Sequence, residues 1–373
     1  MKILITGGAG FIGTRLCKAL VDRGHSLTVL DNLSAQIHGV AAVIPLPLWD
    51  RVAFVQGDVR NRHDWLRALE GQEVIVHLAA ETGTGQSMYE IERYVDVNVR
   101  GTAIMLDLLA NTPHSVRRLV VASSRAVYGE GRYECAACGP VYPQARTAPD
   151  MQAGDFSIKC PQCNAVAEVM PTDELSRVHP TSVYGITKHN QEQIVLTVGR
   201  SLGLEAVAFR YQNVYGPGQS LANPYTGILS IFSTRIKNGN EIVLFEDGTE
   251  SRDFVFIDDV VDATILGVEH PAAPGHVFNV GSGVPTDVAT VADTLVRAYG
   301  VSVPIRVSGN FRLGDIRHNF ADLSRVQSVL GFRPRVDFAT GIAAFARWVD
   351  GQAVQADGYE RSIEELKTKG LYK

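Results

Sequence analysis

The sequence of 373 residues lacks long apolar runs and any large charge excess, and each absence excludes a class of protein. No uninterrupted apolar stretch approaches the roughly 18 residues of a membrane-spanning helix, and the apolar stretch at residues 40–49 is broken by prolines. The formal net charge of −5 gives no electrostatic basis for binding nucleic acid or an anionic membrane. The chain opens on an apolar strand and lacks the basic start and cleavage site of a secretory leader, so we expect a cytoplasmic protein.

Up to residue 210 the chain alternates short apolar strands with helical stretches, a pattern typical of a parallel sheet covered by helices on both faces. A loop rich in Gly, Pro and Asn comes next, as in many ligand-binding loops. We predict a large domain over residues 1–210 and a smaller, interleaved α/β substrate domain over 211–373, from which residues 254–282 cross back to the first. The predicted strands cover residues 2–7, 26–31, 52–58, 74–80, 118–124 and 205–211.

A glycine-rich turn comes directly after the first predicted strand and opens the first predicted helix, with Gly7, Gly10 and Gly13 three residues apart. Such glycines allow a tight turn and let backbone amides approach a pyrophosphate at the helix N-terminus. Asp31 ends the second predicted strand, where its carboxylate can accept hydrogen bonds from ribose hydroxyls and repel a 2′-phosphate. These features predict a Rossmann-like, doubly wound sheet that binds NAD rather than NADP.

Two polar pairs farther along the chain point to proton chemistry. Ser123 and Ser124 end a predicted strand, and Tyr184 and Lys188 lie four residues apart, on one face of a predicted helix. A nearby ammonium and the nicotinamide's positive charge both favour the phenolate, so we expect the pKa of Tyr184 to be lowered.

Four cysteines occur between these two pairs, in a segment at residues 130–172. Two C-x-x-C pairs separated by 21 residues predict a structural zinc site, because four thiolates fill a tetrahedral shell and leave no open position. We expect the zinc to hold together a ribbon-like insert beside the mouth of the active site. The predicted ligands are Cys135, Cys138, Cys160 and Cys163.

The order of these motifs resembles the extended short-chain dehydrogenase/reductase family, in its nucleotide-sugar epimerase and dehydratase branch. The resemblance covers nearly the whole chain except the cysteine insert, and it implies a nucleotide-diphosphate sugar as substrate. Ser124, Tyr184 and Lys188 take the family's catalytic positions. The resemblance assigns cofactor contacts to Tyr184, Lys188, the three glycines and Asp31, and also to Phe11, Ile12, Asn32, Asp58, Val59, Ala79, Ala80 and Asn98.

The same resemblance assigns the substrate contacts. Ser124 and Asn213 match substrate-binding positions, and Arg252 and Arg312 match arginines that hold the sugar-nucleotide diphosphate. Guanidinium groups suit a diphosphate because they bind its oxygens through paired hydrogen bonds. The family implies transient oxidation at C4 to a 4-keto sugar, then reduction on the opposite face.

The two residues after Ser124 narrow the choice of reaction. Dehydratase and decarboxylase relatives carry acidic residues there, whereas this chain has Arg125 and Ala126, and Asp31 argues against an NADP-dependent reductase. Epimerisation at C4 therefore remains. Similar cysteine inserts occur in a subgroup that resembles dTDP-L-rhamnose 4-epimerases, which implies conversion of dTDP-L-rhamnose to dTDP-6-deoxy-L-talose.

Other functions stay open at this point. The nearest alternative is a UDP-glucose/UDP-galactose-type 4-epimerase, which shares the chemistry and differs in sugar and base. Less favoured are a nucleotide-sugar dehydratase or reductase, and an NAD-sensing regulator that uses the zinc module to bind a partner. The intact Ser124, Tyr184 and Lys188 argue against the regulator, because a sensor needs no proton relay. We also expect a homodimer, and no nucleic-acid or membrane partner.

Overall fold

The computed structural model describes residues 1–39, 50–223, 225 and 227–373, so the apolar stretch at 40–49 lies outside the described residues. A seven-stranded sheet, parallel in every pairing, forms the centre of the molecule in the order β13-β9-β5-β4-β1-β2-β3, with strands numbered along the chain. The predicted fold class and all six predicted strands are confirmed. The strands of this sheet are β1 Lys2–Thr6, β2 Ser26–Asp31, β3 Ala53–Gln56, β4 Val74–His77, β5 Arg118–Ser124, β9 Glu205–Tyr211 and β13 Val277–Val280.

Helices pack on both faces of this sheet because alternate side chains of each strand point to opposite sides. In β1, Ile3 and Ile5 enter one apolar core cluster while Leu4 enters the other. No helix in the described part of the chain is long and apolar enough to cross a membrane. The helices are α1 Phe11–Asp22, α2 Ala35–His38, α3 Arg62–Leu69, α4 Thr84–Ser87, α5 Ile91–Tyr94, α6 Gly101–Asn111, α7 Ala148–Gln152, α8 Val183–Ser201, α9 Ile228–Lys237, α10 Ile257–Glu269, α11 Val288–Tyr299, α12 Ser324–Leu330, α13 Phe338–Asp350 and α14 Tyr359–Thr368.

The second half of the chain forms smaller sheets and also returns to the large one. Strand β12 lies between β10 and β14 and also pairs with β16, while β11 pairs with β15. The chain then crosses back, since α10 contacts α1 and β13 pairs with β9. That the first half binds the cofactor and the second half binds the substrate stays a prediction. These strands are β10 Asn213–Tyr215, β11 Ile242–Leu244, β12 Ser251–Phe256, β14 Pro285–Asp287, β15 Ile305–Val307 and β16 His318–Asn319.

The cysteine segment forms its own three-stranded antiparallel sheet, in the order β7-β6-β8. Its apolar cluster is small and includes Tyr133, Val141 and Ile158 along with two of the cysteines. A core of this size contributes little stability alone, which is consistent with a metal-stabilised module. The strands are β6 Tyr133–Cys135, β7 Gly139–Val141 and β8 Glu168–Val169.

Candidate active site

The glycine turn after β1 forms a cradle that larger residues would fill. Gly7 has a φ of +69°, which favours glycine, and its amide donates to the carbonyl oxygen of Leu30 at 2.9 Å. A Cβ on Gly7 would lie 2.8 Å from the amide nitrogen of Ala79, and a Cβ on Gly13 would overlap the carbonyl oxygen of Gly7. Because the turn leaves its backbone open at the start of α1, it fits the pyrophosphate of a dinucleotide.

Asp31 is held at the end of β2 with its carboxylate fixed by the backbone. Its Oδ2 accepts from the amide of Ala9 at 3.0 Å and its Oδ1 from the amide of Leu33 at 2.9 Å. Only 8% of Asp31 is exposed, and that part faces a large cavity at the strand ends. A fixed anion here suits ribose hydroxyls and disfavours a 2′-phosphate.

This cavity of about 990 Å³ runs along the carboxyl ends of the parallel strands and is at the upper end of the size range of ligand sites. It brings most of the predicted cofactor and substrate residues into one space. The predicted residues in its wall are Gly7, Gly10, Phe11, Ile12, Gly13, Asp31, Asn32, Val59, Ala79, Ala80, Ser124, Tyr184, Lys188, Asn213, Arg252 and Arg312.

Two predicted cofactor residues, Asp58 and Asn98, are not in this wall and contact other residues instead. Asp58 accepts from Asn32 Nδ2 at 3.0 Å and pairs with Arg60 at 2.8 Å. Burial raises the pKa of Asp58, but hydrogen bonds from Arg60 and Asn32 outweigh it and bring the pKa to about 2. Asn98 is fully buried and bonds both backbone groups of Glu81, at 2.8 and 3.1 Å. Both residues therefore support the wall from behind.

The predicted catalytic pair meets where β5 and α8 approach each other. Ser182 caps α8 by accepting from the amide of Gly185 at 3.1 Å, which fixes the first helical turn. Tyr184 is in that turn, and both it and Ser124 line the cavity. Burial raises the pKa of Tyr184, while Ser124 and the charge of Arg125 oppose the rise. The expected lowering is therefore wrong for the protein alone, because desolvation of the phenol outweighs both groups.

Lys188 is 3% exposed, and its Nζ donates to Gln191 Oε1 at 2.7 Å. Burial lowers the pKa of Lys188 to about 7, and the carboxylate of Glu192 opposes that shift. Glu192 is itself paired with Arg210 at 2.6 Å and accepts from Ser123 Oγ at 2.7 Å. We missed Gln191, Glu192 and Arg210 in the sequence, although the first two lie three and four residues after Lys188, on the same helical face.

Arginine side chains give the substrate side of the cavity positive charge. Arg125 Nε donates to Asn213 Oδ1 at 3.0 Å. In the sequence, Arg125 was considered only because dehydratase and decarboxylase relatives carry an acidic residue at its position. Burial lowers the pKa of Arg125 to about 9, and Arg252 adds to this effect. Arg252 donates to the backbone carbonyls of residues 251, 316 and 317, and Arg312 pairs with Asp315 at 2.6 Å. Within the described residues neither Arg125 nor Arg252 forms a salt bridge, so their charge is available to an anion.

The four cysteines converge at one end of the insert, with all Sγ atoms within 4.8 Å of one another. Cys135 Sγ lies 3.5 Å from Cys163 Sγ, and the β6–β7 turn uses Gly139 at a φ of +74°. A tetrahedral Zn²⁺ with bonds of about 2.3 Å needs sulfur separations of about 3.8 Å, so the donor set fits zinc. None of the described residues 130–172 lines the cavity. Arg146 of the insert pairs at 2.5 Å with Glu246, which lines the cavity, and the location of the insert beside the mouth stays a prediction.

Comparison with known proteins gives the family. The model of the NAD dependent epimerase/dehydratase family matches residues 3–148 and 160–281. Over 350 residues the chain is 39% identical to a dTDP-L-rhamnose 4-epimerase of Burkholderia thailandensis, covering 93% of this chain and 94% of that one. It is 33% identical over 350 residues to a UDP-glucose 4-epimerase of Mycolicibacterium smegmatis, covering 92% and 96%.

Solved structures agree with these matches. A UDP-glucose 4-epimerase of Thermotoga maritima with UDP-glucose has a TM-score of 0.75 at 27% identity, covering 94% of this chain and 99% of its own. The Thermus thermophilus UDP-glucose 4-epimerase complex with NAD has a TM-score of 0.74 at 25% identity, covering 95% and 100%.

The chain therefore belongs to the NAD dependent epimerase/dehydratase family, which confirms the resemblance seen in the sequence. It is an isomerase, an NAD-dependent nucleotide-sugar 4-epimerase. The family match is interrupted at residues 149–159, which lie between the two cysteine pairs.

Proposed function

We propose that this enzyme interconverts dTDP-L-rhamnose and dTDP-6-deoxy-L-talose by epimerisation at C4. The observation that carries the proposal is that Ser124 and Tyr184 line one cavity together with the glycine turn and the arginines. The 39% identity to a dTDP-L-rhamnose 4-epimerase supports this choice of sugar.

Tyr184 is the base in this proposal. As phenolate it accepts the proton of the C4 hydroxyl, while Ser124 hydrogen-bonds the oxygen that becomes the ketone. Bound NAD would supply a hydride acceptor at C4 and return the same hydride. Lys188 holds positive charge one helical turn below Tyr184, which favours the phenolate. No carboxylate comes directly after Ser124, so elimination of water has no acid or base at that position.

The residues that would hold NAD are those of the glycine turn and the strand ends. Gly7, Gly10 and Gly13 leave space for the pyrophosphate, and Asp31 accepts from the ribose hydroxyls. We assign the further cofactor contacts predicted from the resemblance to this same wall, with Asp58 and Asn98 acting through their neighbours.

Arg252, Arg312 and Asn213 would hold the diphosphate and the sugar. Arg252 and Arg125 form no salt bridge in the described residues, so their guanidinium groups can pair with an incoming diphosphate. An anchored diphosphate also lets the 4-keto sugar turn, since few contacts then restrain the ring. We propose a structural zinc on Cys135, Cys138, Cys160 and Cys163 that stabilises the insert.

A UDP-glucose 4-epimerase is the second candidate, favoured by the 33% identity to such an enzyme. The purified protein should be incubated with dTDP-L-rhamnose, UDP-glucose, UDP-galactose and UDP-glucuronate, and the C4 configuration determined by NMR. We expect turnover of dTDP-L-rhamnose to exceed the others. Faster turnover of UDP-glucose would give the function to the second candidate. The predicted homodimer and cytoplasmic location remain predictions, the first of which light scattering can test.

A further inference from the structure

A chain of buried polar side chains runs from Lys188 through the core beneath the cavity. Gln191 Oε1 accepts from Lys188 at 2.7 Å, and Gln191 Nε2 donates to Thr102 Oγ1 at 2.8 Å. Thr102 Oγ1 is 2.9 Å from His77 Nε2, and His77 Nδ1 is 2.7 Å from Thr6 Oγ1. Each of these five residues is at most 3% exposed, so none can replace its partner with bulk water.

The hydroxyl of Thr102 determines which way the glutamine amide points. That hydroxyl donates to the carbonyl oxygen of Asn98 at 2.6 Å, so its oxygen can only accept from its other neighbours. It accepts from Gln191 Nε2 and from His77 Nε2, which completes its three hydrogen bonds. The amide nitrogen of Gln191 must therefore face Thr102, and its Oε1 must face Lys188.

His77 is fixed in the tautomer that this arrangement needs. Because the Thr102 hydroxyl donates to Asn98, its 2.9 Å contact with His77 Nε2 places the proton of neutral His77 on Nε2. His77 Nδ1 then accepts from the hydroxyl of Thr6, which itself accepts from the amide of Ala79 at 3.2 Å. Burial, together with the charge of Lys188, lowers the pKa of His77 to about 3, so the ring stays neutral at every pH used for catalysis.

Gln191, which is neutral, is the direct partner of Lys188, because the charged groups nearby bond other residues. Glu192 faces Lys188 from the same helix, but its oxygens accept from Arg210 and Ser123. Arg125 acts on the neighbouring Tyr184 as a second positive charge. Tyr94 packs its ring edge-on to Tyr184, with 6.5 Å between centroids. In the described residues no carboxylate forms a hydrogen bond or salt bridge with Lys188.

We propose that Gln191 is a positioning residue for Lys188, held by Thr102 and His77 so that its Oε1 retains the lysine as an ammonium beside Tyr184. A neutral acceptor stabilises the ammonium without cancelling the charge that Tyr184 needs, whereas a carboxylate would cancel it. The proposal rests on the proposed function only for the part that Lys188 takes in the reaction. Gln191 itself touches neither substrate nor cofactor.

The pH dependence of kcat tests this positioning, since activity should fall as Lys188 loses its proton. Gln191→Met removes the acceptor, so the alkaline limb should move to lower pH by about one pH unit. Gln191→Glu places a carboxylate there, so the limb should move to higher pH while kcat falls. The titration of Lys188 itself, followed by ¹³C NMR of labelled lysine side chains and assigned with Lys188→Arg, should move in the same directions.

Matched variants separate positioning from general damage to the core. Gln72→Met removes another buried glutamine, bonded to Thr28 at 3.0 Å, and should leave the limb in place. Thr102→Val should shift the limb as Gln191→Met does, and Thr102→Ser should restore it, which keeps the test available if Gln191→Met fails to fold. A folded Gln191→Met enzyme with unmoved limb and unmoved Lys188 titration would overturn the proposal. If the wild type is inactive on the nucleotide sugars but the Lys188 titration still moves in the Gln191 variants, only the proposed function is overturned.

Discussion

Tyr184 lines the cavity together with Ser124, and its hydroxyl oxygen is the proton acceptor of the proposed reaction. Tyr184→Phe removes the proton acceptor but leaves the aromatic packing, so kcat should fall by about 100-fold or more. Bound NAD, measured by absorbance after denaturation, should stay at the wild-type level. Tyr142→Phe removes a hydroxyl from the insert, outside the cavity wall, and serves as control. A Tyr184→Phe enzyme with more than a tenth of wild-type turnover would remove Tyr184 from the role of base.

Asp31 is the residue that decides between the two dinucleotides. Its fixed carboxylate should make NAD the nucleotide that copurifies with the protein, identified by mass spectrometry after denaturation. Asp31→Asn keeps the shape but loses the charge, so the preference for NAD over NADP should weaken by about tenfold. NADP as the main nucleotide released from the wild type would contradict this assignment.

Arg125 should act on both the substrate and the base. Its charge lowers the pKa of Tyr184 against the effect of burial, so Arg125→Met should raise that pKa. Because activity needs the phenolate, the acid limb of kcat should then move to higher pH, while Arg125→Lys should keep it near the wild-type position. A pH–rate profile of the three proteins checks this, and an acid limb that does not move in Arg125→Met excludes an electrostatic role.

Single functional residues can be predicted from the sequence where they are regularly spaced along one turn or helix, but not where they come together only in the folded chain. The glycine turn and the Tyr184–Lys188 pair can be predicted from spacing along one turn or one helix. Thr102, which bonds Gln191, comes from α6, and His77, which bonds Thr102, comes from β4; both lie more than 80 residues from Gln191 in the chain, so no local pattern connects them. The raised pKa of Tyr184 in the protein without NAD was missed for the same reason, because burial cannot be derived from spacing.

Among the elements, strands with long apolar runs were predictable, and the short seventh strand was not. Strand β13 has four residues and is recognisable only because β9 offers an unpaired edge beside it. The insert was recognised as a module from its cysteines, but its contacts with the C-terminal half could not be predicted. Arg146 pairs with Glu246 at 2.5 Å, and the amide of Thr172 donates to the carbonyl oxygen of Phe320 at 2.9 Å.

The insert should bind one zinc, and loss of this metal should impair catalysis through the contact of Arg146 with the cavity wall. Cys160→Ser should remove the metal and loosen the strands, because a cluster this small cannot hold them alone. The Arg146–Glu246 pair then weakens and Glu246, which lines the cavity, loses a partner. We expect kcat/KM to fall severalfold with NAD still bound. Cys17→Ser, at the buried cysteine of helix α1, is the metal-independent control.

Two measurements decide this prediction. Metal analysis by mass spectrometry should find one zinc per chain in the wild type and in Cys17→Ser, and none in Cys160→Ser. Wild-type protein without zinc would refute the metal site. A zinc-free variant with unchanged kcat/KM would limit the insert to a role away from the substrate.

Over the whole molecule, the two halves of the chain share one apolar core. A single cluster includes Ile3 and Leu16 from the first half and Phe278 and Ile342 from the second. Arg118 of β5 also donates to the carbonyl oxygen of Val268 at the end of α10, at 2.5 Å. The predicted boundary at residue 210 therefore divides residues that share one apolar core.

A fragment of residues 1–210 should for this reason fail to form a stable NAD-binding unit. It would lose β13 and α10, so the edge of β9 and the face of α1 that contacts α10 would be exposed, and Arg118 would keep only Glu205 as a partner. The full chain should unfold in one thermal transition followed by circular dichroism, with NAD raising its midpoint. The fragment should show a broad transition or none, and no response to NAD. A fragment that unfolds cooperatively and is stabilised by NAD would show that the first half folds independently, and that the shared core is an interface between two separate domains.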